Sequence, residues 1–260
     1  AEQGAVLLKN EDGILPLSHT QRLAVIGSMA KSIRYQGAGS SHINPKYLSQ
    51  PLDYIKDAEF AMGCDEHGDT DDAMIDKAVK VAENADAAIV FAGLPDRFES
   101  EGFDRDNMKL PQGHIRMIEE VARANKNTIV VLLTGCVVEC DWADSVKAIL
   151  YMGLPGQAGG EAIANLLYGE SNPCGKLAET WWSSYEDVPS SKIYGKTKDA
   201  VYEEGIYIGY RYCEKAGKKV RFPFGYGLSY TSFSHSALEV KDTVVNVKVT
   251  NTGNMTGAEI

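Results

Sequence analysis

The sequence predicts an α/β fold built on a mostly parallel sheet covered on both faces, and three observations predict it. Continuous apolar runs recur at 22–27, 87–93, 128–134 and 148–152, without the alternation of a sheet that has one wet face. Segments of helical period stand among them, at about 71–84, 111–124 and 161–167, so strand and helix alternate at least four times. From Thr231 the period changes to two, with Val245, Val247 and Val249 alternating with Asn246, Lys248 and Thr250.

Taken in order, Ala5-Val6-Leu7-Leu8 reads as the close of a short apolar helix, and Lys9-Asn10-Glu11-Asp12-Gly13 as the polar turn after it. The strand at 22–27 is capped by glycine. Gly37-Ala38-Gly39-Ser40-Ser41-His42 is small and polar, but the full Gly-x-Gly-x-x-Gly spacing is missing and no Lys-Ser/Thr pair follows, which weighs against a nucleotide-binding domain. The helix at 71–84 turns Met74, Ile75, Ala78, Val79 and Ala82 inward. Asp69, Asp71 and Asp72 gather at its amino end as partners of the helix dipole, so no metal site is expected there. Pro111 opens the next helix, with Ile115, Ile118, Val121 and Ala122 facing in, and Gly169 ends the helix at 161–167.

Residues 183–230 lack clear periodicity and read as a long connection over the surface. Trp181 and Trp182 precede it; neighbours on a strand point to opposite faces, so at least one belongs to the core rather than to a sugar-stacking surface. The last 30 residues supply two or three strands of a β-sandwich that needs about seven.

At 260 residues and 44% apolar composition the chain buries a sizeable core. A net charge of −10 argues against nucleic acid or an anionic membrane as partner. No apolar run approaches the roughly 20 residues of a membrane span. Five cysteines, Cys64, Cys136, Cys140, Cys174 and Cys213, fit no disulfide framework, which leads us to expect a reducing compartment, the cytoplasm of a bacterium. With apolar Val137-Val138 between them and no matching pair downstream, Cys136 and Cys140 read as core thiols rather than metal ligands. No cofactor is expected. The chain starts without Met and stops inside a strand-like pattern, which reads as a piece of a longer protein.

The chemistry concentrates in Glu99-Ser100-Glu101-Gly102-Phe103-Asp104-Arg105, in the loop after the run at 87–93, where open α/β sheets place their ligands. A carboxyl group that donates a proton near neutral pH needs a raised pKa, which a second carboxylate nearby supplies; Glu99 and Glu101 are candidates for such a pair. The plainer reading is a solvated acidic loop in which Arg105 neutralises charge.

Phe98-Glu99-Ser100-Glu101-Gly102-Phe103-Asp104-Arg105 resembles the acid/base loop of glycoside hydrolase family 3, the β-glucosidase and β-xylosidase family. Leu154-Pro-Gly-Gln-Ala-Gly-Gly160, Asn172-Pro-Cys-Gly-Lys-Leu177 and Phe222-Pro-Phe-Gly-Tyr-Gly-Leu-Ser-Tyr230 are similar to further family segments, so the likeness runs from about Gly4 to the end. It implies a six-stranded α/β sandwich over 1–182, a connection packed on it over 183–230 and the truncated start of a fibronectin type III-like domain over 231–260. It implies Glu101 as the general acid/base of a retaining β-glycosidase, Glu99 as the second choice, and Asp104 with Arg105 as supports of the loop. Ser41, His42 and Phe103 are then substrate-binding candidates, since family members carry a similar Gly-Ser-Ser segment. The nucleophile, an aspartate, would lie on a (β/α)8 barrel that these residues cannot encode, so this piece alone is expected to be inactive. Glu203-Glu204-Gly205 is similar to a family segment without the acid role. Two departures stand out: His114 occupies a usual Gln position, and Cys136-Val137 replaces a usual Gly-Pro, at sites read as a helix start and a strand end away from the pocket. The rival reading is a non-catalytic module that shapes the pocket of an attached barrel.

Overall fold

The structure, a computed structural model, describes residues 1–196 and 198–260. Six strands form the main sheet: β1 (Val6–Asn10), β2 (Leu23–Ile26), β3 (Glu59–Ala61), β4 (Ala87–Gly93), β5 (Thr128–Leu133) and β6 (Ala148–Tyr151), in the order β1-β6-β5-β4-β2-β3. All neighbouring pairs are parallel except β1 with β6. The expected six-stranded, mostly parallel sandwich is present. One element differs, because residues 6–10 are the antiparallel edge strand β1 and not the end of a helix. A four-residue apolar run carries no period of its own, so only pairing with β6 decides its conformation.

The helices are α1 (Pro51–Tyr54), α2 (Asp72–Glu83), α3 (Gln112–Ala124), α4 (Gly159–Tyr168) and α5 (Tyr210–Ala216). The central strands are apolar throughout because they face two cores. Ala88, Val90 and Ala92 of β4 pack in one core with Ala78 of α2 and Met117 and Val121 of α3. Ala87, Ile89 and Phe91 pack in the other with Ile163, Leu166 and Leu167 of α4. Each fully buried Val, Leu, Ile, Phe or Met side chain contributes about 1.5–3 kcal/mol, which is why these faces fix the register. The three acids at the amino end of α2 divide their work. Asp71 caps the helix, accepting from the Met74 N–H at 2.8 Å, whereas Asp69 and Asp72 pair with Arg97 and Arg116, each at 2.6 Å.

Beyond the sheet, β7 (Trp181–Trp182) pairs antiparallel with β8 (Val220–Phe222). Trp181 is fully buried, edge-on to Tyr151 and Phe222, and Trp182 is buried beside Tyr212 of α5, so neither indole faces a ligand. The chain then forms a hairpin of β9 (Phe233–Lys241) and β10 (Val244–Asn251), on which Leu238, Val240 and Val245 are exposed. Among the described residues no helix is long and apolar enough to cross a membrane.

Candidate active site

Four parallel strands of the sheet end at one edge, and the loops that leave them build a shallow cleft of about 490 Å³. The loop after β2 brings Ser40 and Ser41, the loop after β4 brings Glu99 and Glu101, the turn after β5 brings Gly135, and the segment after β6 brings Leu154. The acidic loop leaves β4 at Gly93, where β4 and β5 run so close that a Cβ would collide with the carbonyl oxygen of Leu133. Residues far apart in sequence thus meet because β2, β4, β5 and β6 are neighbours in the sheet.

Glu101 is exposed. Its Oε2 accepts from the Ser40 N–H at 2.7 Å and from the Ser40 hydroxyl. Gly39 makes that approach feasible: its φ is +93°, and a Cβ there would lie 2.8 Å from both Cβ and Oε2 of Glu101. The Ser40 hydroxyl, followed by the Ser40 N–H, holds the Glu101 carboxyl below the usual glutamate range.

Glu99 has other partners. Its Oε2 accepts from the Gly135 N–H at 3.0 Å and from Arg34 Nη2 at 3.3 Å, and its side chain is only 18% exposed. Arg34, with 5% of its side chain exposed, also donates from Nη2 to the Glu99 carbonyl at 2.9 Å and from Nη1 to Asp96. The two glutamates therefore turn to different partners. One binds a serine and is lowered, and the other is clamped by a buried guanidinium.

At the far end of the loop Arg105 donates from Nη1 to Cys136 Sγ at 2.8 Å and to the Val137 carbonyl at 3.0 Å. Asp104 accepts the Tyr194 hydroxyl, which raises that phenol. Burial, then a hydrogen bond to Glu99, pushes the Cys136 thiol up to about 12, so it stays protonated and inert. Cys136-Val137 follows β5 and does not line the cleft, yet the Cys136 thiol touches Glu99. The turn after β5 reaches Glu99 through the Gly135 N–H because β5 adjoins β4.

Of the substrate-binding candidates, Ser41 lies in the cleft with Glu99 and Glu101. His42 lines a neighbouring depression of about 520 Å³, with Nε2 3.8 Å from Asp96, and shares it with Arg34 and Arg97. Phe103 is 48% exposed over a third hollow, beside Arg97 and Arg105. Sequence reasoning missed Arg34, Ser40, Asp96 and Gly135 as partners. The available signal was positional: Arg34 and Ser40 follow the buried strand at 22–26, whose carboxyl end lies beside that of the strand before the acidic loop.

A mixed sheet layered between helices, with carboxylates on the loops at its carboxyl edge, defines an α/β sandwich domain with an acidic cleft. Residues 5–210 match the Glycosyl hydrolase family 3 C-terminal domain, and the chain belongs to that family. It is 46% identical over its full length to thermostable beta-glucosidase B of Acetivibrio thermocellus, and 41% identical over its full length to an exo-alpha-(1->6)-L-arabinopyranosidase of Bifidobacterium breve. It covers 37% of each of those proteins. The crystal structure of the GH3 beta-glucosidase of Bifidobacterium adolescentis superimposes on 96% of this chain and 38% of that one, with a TM-score of 0.91 at 41% identity. The chain thus spans little more than a third of these three relatives.

Proposed function

We propose that this chain supplies the general acid/base of a retaining β-glycosidase that removes terminal β-linked glucose, or xylose, with Glu101 in that role. The observation that carries the reading is the placement of Glu101, an exposed carboxylate on the loop after β4 in the cleft at the carboxyl edge of the sheet. Relatives named as β-glucosidases support the substrate class. A retaining mechanism needs a second carboxyl group roughly 5–5.5 Å away as nucleophile, and we assign it to an aspartate on a (β/α)8 barrel outside these residues. In the first step Glu101 gives its proton to the leaving oxygen; in the second, ionised, it takes a proton from water. The ionised form is the one Ser40 holds. An approaching nucleophile carboxylate and a bound leaving group favour the protonated form for the first step.

The binding of Glu101 by Ser40 also supports the second reading, a module that shapes a pocket without donating protons. The two separate in the full-length parent. Glu101→Ala is expected to lower turnover of aryl β-glucosides by about 10²- to 10⁴-fold, and azide is expected to restore it while yielding a β-glucosyl azide, because a small anion replaces the water that the missing base would activate. Wild-type rates in Glu101→Ala would leave the scaffold reading; azide rescue of Glu99→Ala instead would exchange the two glutamates. A bacterial cytoplasm, where thiols stay reduced, fits five free cysteines.

A further inference from the structure

We infer that Arg34 is a positioning residue for proton transfer: through Asp96 and Glu99 it fixes the start of the loop that presents Glu101. The inference rests on the reading of Glu101 as acid/base. Arg34 is buried, and its planar fork spans two acids and a backbone carbonyl that lie on the loop after β4. Glu99 is pinned from a second side by the Gly135 N–H, which belongs to the turn after β5. The loop is therefore anchored two residues before Glu101 to the segments that follow β2 and β5, while Arg105 ties it to Cys136 and Val137 four residues after. Between these anchors, and among the described residues, the Glu101 carboxylate is hydrogen-bonded to Ser40 alone, a contact that a leaving group can replace. Lysine cannot reproduce the grip, since a single ammonium does not offer two forked donors in one plane.

Acid positioning has a signature that general loosening lacks. A leaving group that is already a weak base departs without a proton, whereas a basic one requires the acid. In the full-length parent, Arg34→Met and Arg34→Lys are expected to lower kcat/KM for phenyl β-glucoside about 10²-fold while leaving dinitrophenyl β-glucoside within about threefold of wild type. Glu99→Gln, which still accepts from Arg34 and Gly135, is expected to stay within about tenfold on both. Equal losses on the two substrates, or no loss, overturn the inference. Should Arg34→Met fail to fold, Asp96→Asn, which weakens the same clamp from the exposed side, must show the same selective loss on phenyl β-glucoside, and its absence overturns the inference equally. Glu101→Ala is the control that separates the two proposals. If it lacks leaving-group selectivity, the acid/base reading fails; if it has the selectivity and the Arg34 variants do not, only the positioning role fails.

Discussion

Ser40 is the residue that most directly sets the charge of Glu101, because its hydroxyl and its N–H both favour the carboxylate. Removing the hydroxyl weakens that preference, so the pKa of Glu101 rises. With Glu101 as the proposed acid, Ser40→Ala in the full-length parent is expected to move the alkaline limb of the kcat/KM profile to higher pH, since that limb reports loss of the acid's proton. A limb that stays in place would show that Ser40 does not contact Glu101 in the working enzyme. The acids themselves were legible in the sequence: Glu99 and Glu101 flank a serine before a glycine, directly after a buried strand. Their partners were not. Arg34 lies 65 residues from Glu99 and Ser40 lies 61 from Glu101, and only the sheet order brings those segments together. For the same reason two glutamates one residue apart read as a like-charged pair until the fold turned them to different partners.

At the scale of elements, α3 is joined to β4 by His114, whose Nδ1 meets the Gly93 N–H at 3.2 Å and the Gly93 carbonyl at 2.9 Å. Burial holds this imidazole neutral, with its pKa down to about 4 from an ordinary 6.5. Between those values the unfolded chain binds a proton that the folded one refuses, so stability is full above the ordinary value and is lost as pH falls towards 4. The difference between about pH 7 and about pH 5 is on the order of 2 kcal/mol. Urea midpoints of wild type and His114→Gln at those two values should show a smaller acid loss in the variant; parallel losses would mean that the histidine titrates normally. Element by element, β4, β5 and β6 were legible because strands buried on both faces are apolar without a break. β1 was not, since Val6, Leu7 and Leu8 satisfy a helix or a strand equally well. Glu59–Ala61 escaped notice as β3 because three residues at a sheet edge carry no pattern.

As a whole molecule the chain is built on two cores, one on each face of the sheet, and under the proposed reading it supplies one half of a catalytic arrangement; it spans 37% of beta-glucosidase B of Acetivibrio thermocellus. Purified alone, it is expected to fold cooperatively and to hydrolyse no aryl β-glucoside; turnover at the rate of the parent would place the nucleophile within these residues. Of the six strands β1 leaves the ribosome first, yet its neighbour β6 begins only at Ala148. At about 5–20 residues per second the strand waits on the order of ten seconds for a partner. During that interval Leu7 and Leu8, which the finished sheet buries completely, are open to chaperones. Of the six strands, the one synthesised first is thus sealed into the sheet only when the sixth has been made.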